Sequence, residues 1–117
     1  MAYFDRIKNL FINEGVENDP LARDLGVMAF YHLIMFAHYP KDYLQVIEFE
    51  KMENNILKMV IKQENVNEEI REHKEEIILD NIEEEILDKF SGEKMYIIED
   101  EEYDGRTPQT ILFASEY

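Results

Sequence analysis

Residues 43–63, YLQVIEFEKMENNILKMVIKQ, decide the fold. Leu44, Val46, Ile47, Phe49, Met52, Ile56, Leu57, Met59, Val60 and Ile61 scatter around a helical wheel and define no apolar face. A helix this rich in charge would need such a face to bury. Split at Glu53-Asn54-Asn55, the same residues make two β-rich runs, and Asn tolerates the positive φ of tight hairpin turns. The stretch reads as a β-hairpin.

Upstream, Asp19-Pro20 marks a helix start, with Asp as N-cap and Pro at the first helical position. This helix is expected to run to about His38 and stop before Pro40. Leu21, Leu25, Met28, Phe30, Tyr31, Ile34 and Met35 cover most of its circumference, which makes it the central helix, and Gly26 would let it pack closely. Residues 2–14 place Tyr3, Phe4, Ile7, Leu10 and Phe11 at helical spacing, and Gly15 is a fitting stop.

Downstream, residues 67–90 (NEEIREHKEEIILDNIEEEILDKF) set Ile70, Ile77, Ile78, Ile82, Ile86 and Phe90 in a helical stripe ended by Ser91-Gly92. Met95–Glu99 and Thr110–Ser115 read as two more strands, joined by an acidic loop. The expected order is α-α-β-β-α-β-β. This is an α+β fold, one domain over 1–117, with an antiparallel four-stranded sheet covered by helices on one face.

Charge is the strongest compositional signal. Asp and Glu number 27 against 12 Lys and Arg, a net charge of −15. Residues 1–40 hold five acids and three bases, and residues 41–117 hold 22 acids and nine bases. Such a field opposes direct binding to nucleic acid or to an anionic membrane. There are no cysteines, which excludes disulfides, thiol catalysis and cysteine-held metals and is compatible with a cytoplasmic location. Asp5, Arg6, Lys8 and Asn9 interrupt any signal-peptide apolar region, and the longest apolar run, Val27–Ala37, is too short to span a membrane.

Within the third expected helix, Glu68, Glu72, Glu76, Asp80, Glu84 and Asp88 recur at i, i+4 spacing. On a helix they would form a carboxylate ladder with rungs about 5–6 Å apart, facing away from the isoleucine stripe. Each like-charged pair costs roughly 0.2–0.5 kcal/mol, so the ladder reads either as a solvated face or as a surface kept for a basic partner. The rung spacing approximates that of phosphates along a nucleic acid strand. Glu99, Asp100, Glu101, Glu102 and Asp104 extend the negative surface, with Tyr96, Tyr103 and Tyr117 as available aromatic anchors.

Catalytic signals are sparse. Asp100–Gly105 imitates the start of an EF-hand loop, but its twelfth position is Ile111 rather than Glu, and strands are expected to flank it. His32 and His38 point about 120° apart on one helix, and His32 is expected in or beside the core. His73 has Glu69 and Glu76 within helical reach, half a metal site at most. The few serines and threonines lie in no nucleophile context, and the four isolated glycines form no phosphate loop.

A small, cysteine-free, strongly acidic domain of this kind resembles phage-encoded inhibitors, anti-restriction and anti-CRISPR proteins and toxin-immunity proteins in type, without a shared motif. The resemblance implies a non-enzymatic inhibitor or adaptor, without cofactor or metal, that covers the basic surface of a nuclease or other nucleic-acid-handling protein by mimicking DNA charge. Two alternatives stand beside it. One is a homodimeric interaction module whose acidity serves solubility, with Phe4, Phe11, Phe30 and Phe36 at its interface. The other is a carboxylate- or metal-dependent enzyme.

Overall fold

The computed structural model describes residues 10–37, 43–64, 72–100 and 108–117. In chain order the elements are β1 (Leu10–Ile12), α1 (Glu14–Glu17), α2 (Pro20–Phe36), β2 (Leu44–Met52), β3 (Ile56–Glu64), β4 (Glu72–Leu79), α3 (Glu84–Phe90), β5 (Lys94–Glu99) and β6 (Gln109–Phe113). A single 3₁₀ turn, Ala114–Glu116, follows. The α+β class holds, but the sheet has six strands, in the order β1-β6-β5-β2-β3-β4. All neighbours run antiparallel except β1, which is parallel to β6.

The hairpin forms as its sequence requires. Met52 pairs with Ile56, and Asn54 and Asn55 both take left-handed φ, at 63° and 59°. The sheet grows from it on both sides. β4 adds to β3, and β5 returns beside β2, so β5-β2-β3-β4 form a Greek key.

Two expected helices are corrected. Residues 72–79 are a strand, and α3 occupies only the end of the expected 67–90 helix. A spacing of four is an even number, so it keeps residues on one face of a strand as readily as on one side of a helix. The segment breaks at Asn81, whose φ is 55°, between strand and helix. β-branched Ile77 and Ile78 and pairing with β3 decide the matter for strand over local helix propensity. Leu10–Ile12, expected to end the first helix, instead pairs with Gln109–Ile111. The chain then turns directly into α1, and the Asn13 N–H donates to the Ile111 carbonyl at 2.8 Å. Gly15 lies inside α1 rather than stopping a helix. The expected positions on 1–9, including Tyr3, Phe4 and Ile7, lie outside the described residues, as does His38.

α2 starts where expected: the Ala22 N–H donates to the Asp19 carboxylate at 3.2 Å, with Pro20 in the first turn. Its inner side, Ala22, Leu25, Gly26, Ala29, Phe30 and Leu33, is buried in the core. A Cβ on Gly26 would come 2.8 Å from Ile111 Cγ2 and 3.0 Å from Met95 Cε, so glycine sets how closely α2 sits on β5 and β6. α3 covers β2, with the Phe90 and Phe49 ring centres 5.1 Å apart. Burying a ring of this size stabilises by about 1.5–3 kcal/mol.

Alternation along each strand assigns the sheet faces. Ile47, Phe49, Leu57, Met59, Ile61, Met95, Ile97 and Ile111 are buried under the helices. The neighbouring positions Val46, Glu48, Lys58, Val60, Lys62 and Tyr96 are half-buried on the opposite face. The long edge strand β4 carries Lys74 and Glu76 on one face and His73 and Glu75 on the other, and charge on both faces discourages further strand pairing.

Candidate functional site

The carboxylate ladder does not exist as a ladder. Glu72 and Glu76 belong to β4, where an i, i+4 step spans about 13 Å instead of one helical turn. Asp80 lies exposed beyond the strand end. Only Glu84 and Asp88 keep the helical spacing, on α3. Glu68 lies outside the described residues, as do Glu101, Glu102, Tyr103 and Asp104 of the loop. Glu99 ends β5 opposite Gln109, and Asp100 follows it, exposed, with its N–H donating to the Pro108 carbonyl at 2.9 Å.

The surviving rungs face lysines. Lys51 reaches from β2 to α3, where its ammonium donates to Asp88 Oδ1 at 2.7 Å and also to Glu84. Those two hydrogen bonds push the Lys51 pKa up to about 12. On the open sheet face Glu76 lies 3.5 Å from Lys58, which also lies 3.9 Å from Glu50. Glu48 bonds Lys62 and lies 3.6 Å from Lys94. The Lys62 hydrogen bond holds the Glu48 carboxyl below its usual range, against a smaller opposing effect of burial. The middle of the open face is therefore a network of opposite charges rather than an acidic patch. Each such exposed pair contributes little, about 0–1 kcal/mol.

Exposed carboxylates remain at one corner. Asp80, Glu83, Glu84 and Glu85 gather around the start of α3, and Asp88 lies one turn further along it. Glu84 and Glu85, in the first turn, also favour the helix itself through its dipole.

The second surface is apolar. From Leu25 to Ala37, α2 contains no Asp, Glu, Lys or Arg, in a chain that is 33% charged. Its outer side leaves Met28 41%, Tyr31 55%, Met35 66% and Phe36 53% exposed. Phe30 meets Tyr31 edge-on with ring centres 5.7 Å apart, and the His32 and Phe36 rings meet at a 44° tilt with centres 4.8 Å apart. These contacts hold the exposed rings in place. Of the phenylalanines expected at an interface, Phe36 is on this surface, Phe30 is buried and Phe11 is exposed on β1. Phe4 lies outside the described residues. The expected aromatic anchor Tyr117 is exposed, edge-on to Tyr96 at 5.7 Å.

Among the described residues His32 and His73 belong to no cluster that could hold a metal. His32 is half-buried beside the core, as expected, with Nε2 4.0 Å from Glu75 Oε1 on β4. His73 and Glu76 sit three apart on a strand and so point to opposite faces, which separates that pair, and Glu69 lies outside the described residues. Among the described residues no three His, Asp or Glu side chains are grouped to hold a metal. The one feature without a sequence signal is a set of buried amides, Gln45, Gln63 and Gln109, with Gln45 Nε2 donating to Gln63 Oε1 across β2 and β3.

No protein-family model and no curated protein matches the chain. Its fold is similar to the crystal structure of a protein of unknown function from Enterococcus faecalis, with a TM-score of 0.68 and 16% sequence identity. The match covers 100% of this chain and 97% of that one. At this identity the likeness shows the fold alone: a small α+β domain with helices on a mixed six-stranded sheet. No helix among the described residues is long and apolar enough to cross a membrane.

Proposed function

We propose that the chain is a non-enzymatic protein-binding module whose contact surface is the outer side of α2. One observation carries this reading. Met28, Tyr31, Met35 and Phe36 form a charge-free, ring-braced strip on a chain in which one residue in three is charged. Exposed apolar patches rimmed by polar residues mark interaction sites, and pre-positioned aromatic side chains lose little entropy on binding. The acidity then serves solubility and rejects nucleic acid and anionic membranes as partners. Affinity capture from host lysate with the wild-type chain and with Tyr31→Glu tests the reading. The partner should be retained by the first and lost by the second. Equal capture by a folded Tyr31→Glu protein would rule the surface out.

A second reading keeps the inhibitor or immunity-type role against a basic, nucleic-acid-handling protein. It is favoured by the net charge of −15 and by exposed Asp80, Glu83, Glu84, Glu85 and Asp88 around α3. Electrostatic complementarity of that kind weakens as salt rises. Reversing Glu83, Glu84 and Glu85 to Lys should abolish capture under this reading and leave it intact under the first.

A further inference from the structure

Resting on the first reading, we infer that the occupant of the α2 strip is a second copy of this chain. Met28, Tyr31 and Met35 follow one another at steps of three and four, the spacing of a helix–helix seam. The strip is self-complementary under a two-fold axis near Tyr31. Antiparallel packing of two α2 helices places Met28 of one copy beside Met35 of the other and the two Tyr31 rings against each other, with Phe36 at the margin.

Charge selects the same occupant. A basic partner would find no carboxylate between Leu25 and Ala37 to pair with, whereas a second acidic copy can approach another most closely through a window that holds no charge. Charged residues are depleted at the cores of protein interfaces, and homodimer interfaces are the more apolar among them. The half-exposed side chains offer on the order of 400 Å² per copy, roughly 800 Å² in all, which falls short of the ~1,200 Å² at which stable specific interfaces begin and is the size of a weak, transient one. The dimer is therefore reversible and dissociates on dilution. Because each copy carries −15, added salt relieves the repulsion and strengthens the dimer, opposite to the salt response of a charge-driven complex.

Sedimentation velocity of the full chain over a wide concentration range, at low and high salt, tests this. A monomer–dimer equilibrium that tightens with salt is the expected result. Tyr31→Glu and Met35→Glu should each weaken it by about tenfold or more. Met52→Glu, at an exposed apolar position on the open sheet face, should leave it unchanged. Circular dichroism identifies variants that keep the fold. A wild-type monomer at every concentration and salt would overturn the second copy, while the contact surface itself would still stand or fall with the Tyr31→Glu capture experiment. A dimer indifferent to both α2 substitutions would overturn the second copy on α2 as well, by placing the interface on another face, and the capture experiment would still decide the contact surface.

Discussion

Lys51 Nζ lies 2.7 Å from Asp88 Oδ1 across the β2–α3 contact, and the same ammonium bonds Glu84. One lysine thus answers the only two carboxylates that keep the i, i+4 helical spacing. The pair that most favoured charge mimicry is partly offset within the molecule, one positive charge against two negative, and the uncharged side of α2 becomes the most distinctive surface.

The Lys51 contact has an alkaline signature. Its folded-state pKa, pushed up to about 12, lies above the ordinary 10.5. The stabilisation is therefore fully present below pH 10.5 and is lost as pH rises through about 12. Lys51→Met should remove this alkaline dependence and lower the melting temperature more at low salt than at high salt. Thermal melts across pH and salt check it.

At acid pH two carboxylates matter. Burial pushes the Asp19 carboxyl up, but the Lys89 ammonium at 2.5 Å and the Ala22 and Leu21 N–H groups together outweigh it and leave it below 3.8. Glu48 is likewise held below 4.5, chiefly by Lys62. Both contributions are present above those ordinary values and are lost as pH falls through the lowered ones. Asp19→Ala also removes the α2 N-cap and should cost about 1 kcal/mol in urea unfolding at neutral pH. Its acid limb should be flatter than the wild type's.

The Glu116 carboxylate accepts from Gly15 N–H and Asn13 Nδ2, both at 2.9 Å, and from Phe113 N–H at 3.0 Å. It ties the C-terminal turn to α1. A Cβ on Gly15 would lie 2.6 Å from the Glu116 carboxyl carbon. Gly15→Ala should push the Glu116 carboxylate aside and lose its hydrogen bonds, about 1 kcal/mol each, which outweighs the gain of up to about 1 kcal/mol from alanine as the better helix former. Combined with Glu116→Ala, the two losses should be less than additive, as a double-mutant cycle by denaturant unfolding would report.

Gly26 gives the same inversion in the core. In an open helix Gly→Ala gains about 1 kcal/mol, but here the new methyl meets Ile111 and Met95. Gly26→Ala should therefore lower stability. Phe90→Ala should cost more, about 3–5 kcal/mol, by opening a cavity against Phe49.

How far the sequence revealed this fold depends on which physical signal was local. The 53–55 turn, the Asp19-Pro20 cap and the close packing at Gly26 are written in residues whose conformational preferences act on the spot. β4 is not. Its Glu- and Lys-rich composition favours helix, its period of four fits helix and strand alike, and only the partner strand β3 resolves the choice. β1 is three residues long and needs β6 to exist. The candidate site followed the fold: the acid ladder vanished with its helix. The α2 strip is present in the sequence as a run without charge, but apolar residues cover most of the helix circumference, and only the packed sheet shows that Met28, Tyr31 and Met35 face out.

The methionines offer the most direct test. Met28 and Met35 report the α2 strip, Met52 is exposed on the opposite sheet face at 40%, and Met59 and Met95 are fully buried. In the methyl-labelled chain, a soluble paramagnetic agent should broaden Met28, Met35 and Met52 alike at high dilution. At high concentration Met28 and Met35 should become protected while Met52 stays accessible. If Met28 and Met35 remain as accessible as Met52 at every concentration, no second copy covers α2.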